Sequence, residues 1–344
     1  MAKKIVFFNH KGGVSKTTSV FNVGWKLAEL GHKVLLVDGD PQCNLTSIFL
    51  GDQFYDYYEN AETSKQNIMD GVRPVFDGIP APITYINSPV HPFNDNLFII
   101  PGHMNLSEYD PQLTFAINAP TTLTSMQNMP GAFNELISKT VEKYNIEYVI
   151  IDLNPGLSAT NQILFISSDA FIIPTNPDLF CEMAIKSLSR ILPQWVNWKR
   201  QHIQEFETAI YPIPNGTPLF IGELIQRFNI RYRVAAAPYR PRIEAIKNII
   251  RDSFVPILNR SSMLFPSQKY SEANIPDDYC LAEIKDFQSL GQKSQEYGVP
   301  IFALNDSQLD ATGTVMTQLV VSRDEFNTHF INIANKVVTI FNEQ

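Results

Sequence analysis

Ile5-Val6-Phe7-Phe8-Asn9-His10-Lys11-Gly12-Gly13-Val14-Ser15-Lys16-Thr17-Thr18 is the stretch from which the rest of the chain can be read. Four apolar residues end at Phe8, a glycine pair follows, and a lysine with two threonines opens a helical pattern from Ser19 to Leu30. Strand, glycine loop and helix start in that order make a phosphate cradle, because free backbone N–H groups and the positive end of the helix dipole converge on one spot. At these offsets Lys16 reaches the outer phosphates as a cation and the Thr17 hydroxyl takes a place on Mg²⁺. A turn that merely joins a strand to a helix has no use for two lysines and two threonines so spaced. Gly12, Gly13, Val14, Ser15, Lys16, Thr17 and Thr18 are therefore the expected phosphate-binding residues.

The common spelling of such a loop, G-x-x-x-x-G-K-[ST], is not met: His10 stands at the first glycine and Ser15 at the last. A second lysine, Lys11, precedes the glycine pair instead. K-G-G-x-x-K-T-T resembles the deviant Walker A loop of the ParA/MinD family of ATPases, and the resemblance implies ATP as the nucleotide. In that family the extra lysine reaches across a dimer interface to the nucleotide of the partner subunit, and Lys11 matches it. Ser15 departs from the family's commoner glycine.

Val34-Leu35-Leu36-Val37 is a short apolar run, as a parallel strand covered on both faces requires. It ends in Asp38-Gly39-Asp40-Pro41-Gln42, with carboxylates just past the strand end, where open α/β sheets bind ligands. This D-x-D-P-Q string resembles the family's second signature. By that match Asp40 orients the attacking water and Asp38 helps hold the Mg²⁺ shell. Asn22 and Asn44-Leu45-Thr46 match the family pattern too. Tyr148-Val149-Ile150-Ile151-Asp152 is another such strand, and its terminal acid has the Walker B form that binds Mg²⁺ through a water. The expected metal residues are thus Thr17, Asp38 and Asp152, and the expected catalytic ones Lys11, Lys16 and Asp40. After Asp152 the family continues D-x-P-P, whereas this chain has Leu153-Asn154-Pro155.

Further apolar runs at Asn96–Ile100, Ala170–Thr175 and Leu219–Ile225 read as strands, with Asn176-Pro177-Asp178 as an acidic turn after the second. Helices are expected from about Asn67 to Val72, beginning at Met104 to Tyr109, over Phe133 to Tyr144 and over Cys181 to Leu192; Asn118 to Pro130 reads as a loop. Trp195 and Trp198 read as core. Gln226-Arg227-Phe228-Asn229 resembles a family segment beside the adenine, which makes Arg227 the candidate for stacking on the base. A last helix over Arg323 to Phe341 sets Phe326, Phe330, Ile333, Val337 and Phe341 on one stripe. Only Arg323 and Lys336 are basic there, so it reads as a packed helix and not as a membrane-surface one.

Hydrophobic residues at 44% and charged residues at 18% are ordinary globular values, which argues against wholesale disorder. Cys43, Cys181 and Cys280 are too scattered for a disulfide framework or a metal cluster. No leader and no run long enough to span a bilayer is visible, so a cytoplasmic protein without membrane contact is expected, nucleoid-associated if it binds DNA. Specific operator recognition by a separate module before the loop is not expected. The net charge is −8, yet Arg227, Arg231, Arg233, Arg240, Arg242, Lys247, Arg251 and Arg260 face only Glu244 and Asp252 over residues 227–260. Such a local reversal of sign suits non-specific DNA contact through phosphates.

These signals converge on one α/β domain over residues 1–344, with insertions near 50–95 and 195–218. The expected fold is a mostly parallel twisted sheet flanked by helices on both faces. The resemblance implies an ATP-dependent homodimer on non-specific DNA, reset by an activating partner protein, as in partition. The alternative is a regulatory or defence-type sensor whose insertions bind a protein or effector, without DNA.

Overall fold

The computed structural model describes residues 2–118, 126–231 and 234–342. The loop expected over Asn118–Pro130 therefore lies mostly outside the described residues, as does Arg233.

Among the described residues ten strands form: β1 Lys3–Phe7, β2 Val34–Gly39, β3 Val90–His91, β4 Asn94–Ile100, β5 Tyr148–Leu153, β6 Ala170–Thr175, β7 Leu219–Phe228, β8 Ile230–Arg231, β9 Val234–Ala235 and β10 Cys280–Lys285. Eight make one sheet in the order β10-β7-β6-β1-β5-β2-β4-β3, with β8 and β9 a separate antiparallel pair. Every neighbour in the large sheet is parallel except β3 on β4. The continuous apolar runs are what this demands, since strands covered on both faces have no solvent side. Along β1 and just beyond, Ile5 and Phe7 pack into one core and Val6 and Phe8 into the other, all at 0% exposure.

Helices Ile68–Phe76, Met129–Tyr144, Ala159–Ile166, Leu179–His202 and Arg240–Ile249 cover the face of Val6. Helix α1, Lys16–Glu29, and the helices Ser289–Tyr297 and Gly313–Phe341 cover the other. From β1 the chain runs outward to β2 and β4, then returns through β5 to lay β6, β7 and β10 on the opposite side. The loop after β1 thus opens at the crevice where the winding reverses direction.

Element ends differ from the sequence reading in three instructive places. Helix α1 begins at Lys16, not Ser19, because the polar residues 16–18 face the loop and carry no apolar period. Leu179–His202 runs through Pro193 and takes in residues 195–202, where Trp195, Val196 and Lys199 are buried; Trp198 is only partly buried. The last helix starts at Gly313, ten residues before Arg323, and its added turns lie largely in solvent. The predicted stripe holds, with Phe326, Phe330, Ile333 and Val337 buried and Phe341 packed against them. Among the described residues no helix is long and apolar enough to cross a membrane.

Candidate functional site

Between β1 and α1 the backbone turns through Gly13 at φ +73° and Ser15 at φ +58°. A Cβ at Gly13 would meet nothing within 4 Å, so open space lies over the loop there. Ser15 takes the left-handed conformation that glycine adopts freely and L-residues resist. Its carbonyl accepts from Ser19 N at 3.0 Å and Ser19 Oγ at 2.8 Å, starting α1. Lys16 is 7% exposed, and its ammonium donates to the carbonyls of Asn9 at 3.0 Å and Lys11 at 3.2 Å. Burial lowers its pKa against the opposing charges of Asp152 and Asp40. Held by carbonyls alone, this cation is poised for an anion.

β2 and β5 lie side by side with Asp38 in register with Asp152. Both are buried, so each disfavours the other's charge. Asp38 Oδ2 accepts from Thr46 N at 2.9 Å and Thr46 Oγ1 at 2.6 Å, and Oδ1 from Asp40 N at 3.2 Å. Burial still raises its pKa to about 6. Neither oxygen of Asp152 has a well-formed hydrogen bond. Burial and then Asp38 push its pKa up, with Thr17 and Lys16 pulling the other way. A fully buried carboxylate with no well-formed hydrogen bond among the described residues, beside the Thr17 hydroxyl at the mouth of a phosphate loop, fits a divalent cation or its water. Asp40, 7% exposed, accepts from Gln42 N at 2.9 Å.

A cleft of about 770 Å³ opens over the loop. Gly13 to Thr18, Asp40 and Asn22 line it, and Gln226, Arg227 and Asp286 to Gln288 close its far side. Asp38 and Asp152 are buried and do not line it. Arg227, at φ +60°, donates to Gly13 O at 3.0 Å and stands 4.0 Å from Asp286. It thus clasps the loop from the end of β7 while lining the cleft. Lys11 turns to its own chain, with Nζ 2.5 Å from Asp178 Oδ2.

Sequence reasoning missed the supports. Thr46, which holds Asp38, also accepts from Gly102 N at 2.9 Å, and Gly102 O accepts from Tyr58 Oη at 2.6 Å. A Cβ at Gly102 would sit 3.0 Å from Asp38 Cγ, so the glycine is needed for this approach. Gln226 Nε2 donates to Ser19 Oγ at 2.7 Å, joining β7 to α1. Asn154, which departs from the family spelling, is tied by Asn161 Nδ2 through its carbonyl and its side chain. The polar turn after β4 and the departure at Asn154 were visible signals, but their partners are remote in sequence.

The basic stretch is partly spent on ion pairs. Arg242 pairs with Glu182 at 2.8 Å, Lys247 with Glu283 at 2.7 Å and Asp278 at 3.3 Å, and Arg251 with Asp252 at 2.7 Å. Arg240 and Arg260 are exposed.

A family model described as an AAA domain matches residues 2–205, more than half of the chain. Soj of Bacillus subtilis, a sporulation initiation inhibitor protein, is 31% identical over 192 residues, 56% of this chain and 64% of its own. The chromosome-partitioning ATPase Soj of Treponema pallidum is 30% identical over 195 residues, 56% of this chain and 63% of its own. The chain belongs to the ParA/MinD-type P-loop ATPases. It spans between about half and two thirds of the length of the curated relatives it matches. In fold it is similar to pNOB8 ParA, with TM-score 0.56 and 19% identity over 99% of this chain and 98% of that one. A Cyanothece McdA bound to ATP aligns with TM-score 0.54 and 18% identity over 95% and 96%. None of these likenesses favours an effector sensor over a ParA-type ATPase.

Proposed function

We propose that this ParA-type ATPase is an ATP-driven dimeric switch that works in partition or cargo positioning, with Lys11 acting on the partner's nucleotide. The observation that carries the proposal is the buried Lys16 ammonium, which among the described residues donates to loop carbonyls, together with the buried Asp152, which has no well-formed hydrogen bond. Phosphoryl transfer needs positioning and charge stabilisation more than covalent chemistry. Loop N–H groups and Lys16 hold the outer phosphates, and Asp40 orients the attacking water. Thr17, Asp152 and Asp38 are the residues that would hold Mg²⁺, with Asp38 the least available because its oxygens already accept from Thr46 and Asp40. Mg²⁺ supplies charge neutralisation on the phosphate oxygens. Arg227 keeps Gly13 in place beneath the nucleotide and borders the base.

Lys11 from the second copy completes the charge balance, so ATP joins two chains and hydrolysis releases them. Turnover is slow until a partner protein stimulates it. The dimer lies on duplex DNA through exposed arginines of residues 227–260, Arg240 and Arg260 among them, in a cytoplasmic, nucleoid-associated setting. A single domain, with the 50–95 and 195–218 segments added to it, is part of the same proposal.

Light scattering and DNA binding with ADP, ATP and no nucleotide test it. Wild type should dimerise and bind any duplex in ATP, more weakly as salt rises. Lys16→Ala should lose hydrolysis, Lys11→Ala the dimer, and Asp152→Asn the thermal stabilisation that Mg²⁺ adds to ATP. ATP-dependent dimers that ignore DNA would remove the DNA part and keep the switch. A chain that stays monomeric with bound ATP would remove the role given to Lys11.

A further inference from the structure

Two acceptors compete for the Lys11 ammonium, and in the free chain the nearer one is its own. Nζ lies 2.5 Å from Asp178 Oδ2 and 3.4 Å from Cys181 Sγ, and 5.8 Å from the centre of the Phe180 ring. Asp178 caps helix Leu179–His202 with its other oxygen, which accepts from Cys181 N at 2.9 Å. Negative charge is favoured at a helix N-terminus, so this carboxylate is a well-supported anion. Burial alone would lower the Lys11 pKa, but the bonds to Asp178 and Cys181 outweigh it and the net shift is upward. The pair is partly exposed, at 22% for Lys11 and 38% for Asp178, and the apolar side chains of Leu179, Phe180 and Met183 stand in solvent beside it.

We infer that Asp178 is a positioning residue that holds Lys11 on its own chain until a second, ATP-loaded copy offers the ammonium a polyphosphate. The inference rests on the proposed reading in which Lys11 crosses an interface. Breaking the pair is a cost that association must meet, and a symmetric dimer meets it twice. The contact therefore raises the ATP level at which two chains join. A ligand shifts such an equilibrium only by its differential affinity for the two states, and polyphosphate carries more charge than one carboxylate. With bound ADP, which offers less charge, the pair to Asp178 competes better and the chain stays single.

Asp178→Asn separates this role from folding. Asparagine caps helices as well as aspartate does, so the helix start survives while the charge is lost. Asp178→Ala removes both, and Asp178→Glu restores the charge. The first readout needs no partner: acylation of Lys11 by an amine-directed reagent in the nucleotide-free chain, followed by peptide mass spectrometry and scaled to Lys139. Lys11 should label at least about twofold faster in Asp178→Asn, the order expected for loss of one partly exposed ion pair. Equal labelling overturns the inference.

The second readout is the ATP concentration at half-dimerisation, from light scattering. Two such pairs lost should lower it roughly threefold or more in Asp178→Asn, with Asp178→Glu returning toward wild type. If wild type dimerises and Asp178→Asn needs as much ATP or more, the inference fails and the ATP-dimer reading stands. If wild type binds ATP and remains a monomer, both fall.

Discussion

Ser15 and His91 show how single positions carry backbone strain and pH dependence. Ser15 holds φ +58° at the N-terminus of α1. An L-residue there costs roughly 1–2 kcal/mol, and glycine returns part of that through its looser unfolded chain. Ser15→Gly should therefore raise stability by about 0.5–1 kcal/mol in urea unfolding, with ATP affinity preserved or improved. His91, 2% exposed, is ringed by Trp25 and Phe49. Its Nδ1 accepts from Phe93 N at 3.2 Å, which leaves Nε2 as the donor to Gly298 O at 2.9 Å. Burial pushes its pKa down to about 4. In the unfolded chain it titrates near 6.5, so between about pH 6.5 and 4 it is mainly the unfolded state that binds the proton. The contribution is complete above about pH 6.5 and is lost as pH falls toward 4, amounting to about 3 kcal/mol. Unfolding midpoints at pH 7, 5.5 and 4.5 should fall in wild type, and less steeply in His91→Phe.

At the scale of elements, periodicity located the four longest helices among the described residues and left their ends open. The helix expected over Cys181 to Leu192 is in the structure Leu179–His202, which runs on through Pro193. Burial of Trp195, Val196 and Lys199 carries the helix onward past it. The first turns of Gly313–Phe341 lie largely in solvent, and only Met316, Leu319 and Val320 pack partly against the core there. Asn67 was a clear start: its side chain accepts from Met69 N and Asp70 N. A glycine gives the sharpest test of helix packing. A Cβ at Gly131, in helix Met129–Tyr144, would fall 1.9 Å from Tyr211 O, which is backbone and cannot swing aside. Gly131→Ala should destabilise by about 3 kcal/mol or more, read as a lower denaturant midpoint or loss of soluble protein. Tolerance of alanine at full stability would contradict that packing.

Across the whole molecule, the two segments read as insertions touch each other. Ile83 N donates to Tyr211 Oη at 3.0 Å, and Ile83, Ile86 and Tyr211 join the same core as β1 and β5. Tyr211→Phe leaves the Ile83 N–H buried without its acceptor and should cost about 1–3 kcal/mol. Limited proteolysis should then cut between residues 76 and 90 sooner than in wild type. The reach of these segments extends to the site, since Tyr58 braces Gly102 and Gly102 braces the Thr46 that holds Asp38.

The sequence by itself determined the phosphate loop, the acids that end β2 and β5, and the mostly parallel sheet. Each is a local signal: glycine and lysine spacing, or an apolar run with one polar residue at its end. Tertiary structure decided which of those groups are free. Asp38 and Asp152 look alike in sequence, yet Thr46 and Asp40 donate to the first, while among the described residues the second has no well-formed hydrogen bond. Lys11 and Lys16 look alike too, but one is held by Asp178, 167 residues away, and the other by carbonyls of its own loop. Hydrogen bonds and desolvation depend on which atoms the fold brings within about 3 Å, and no local pattern carries that information.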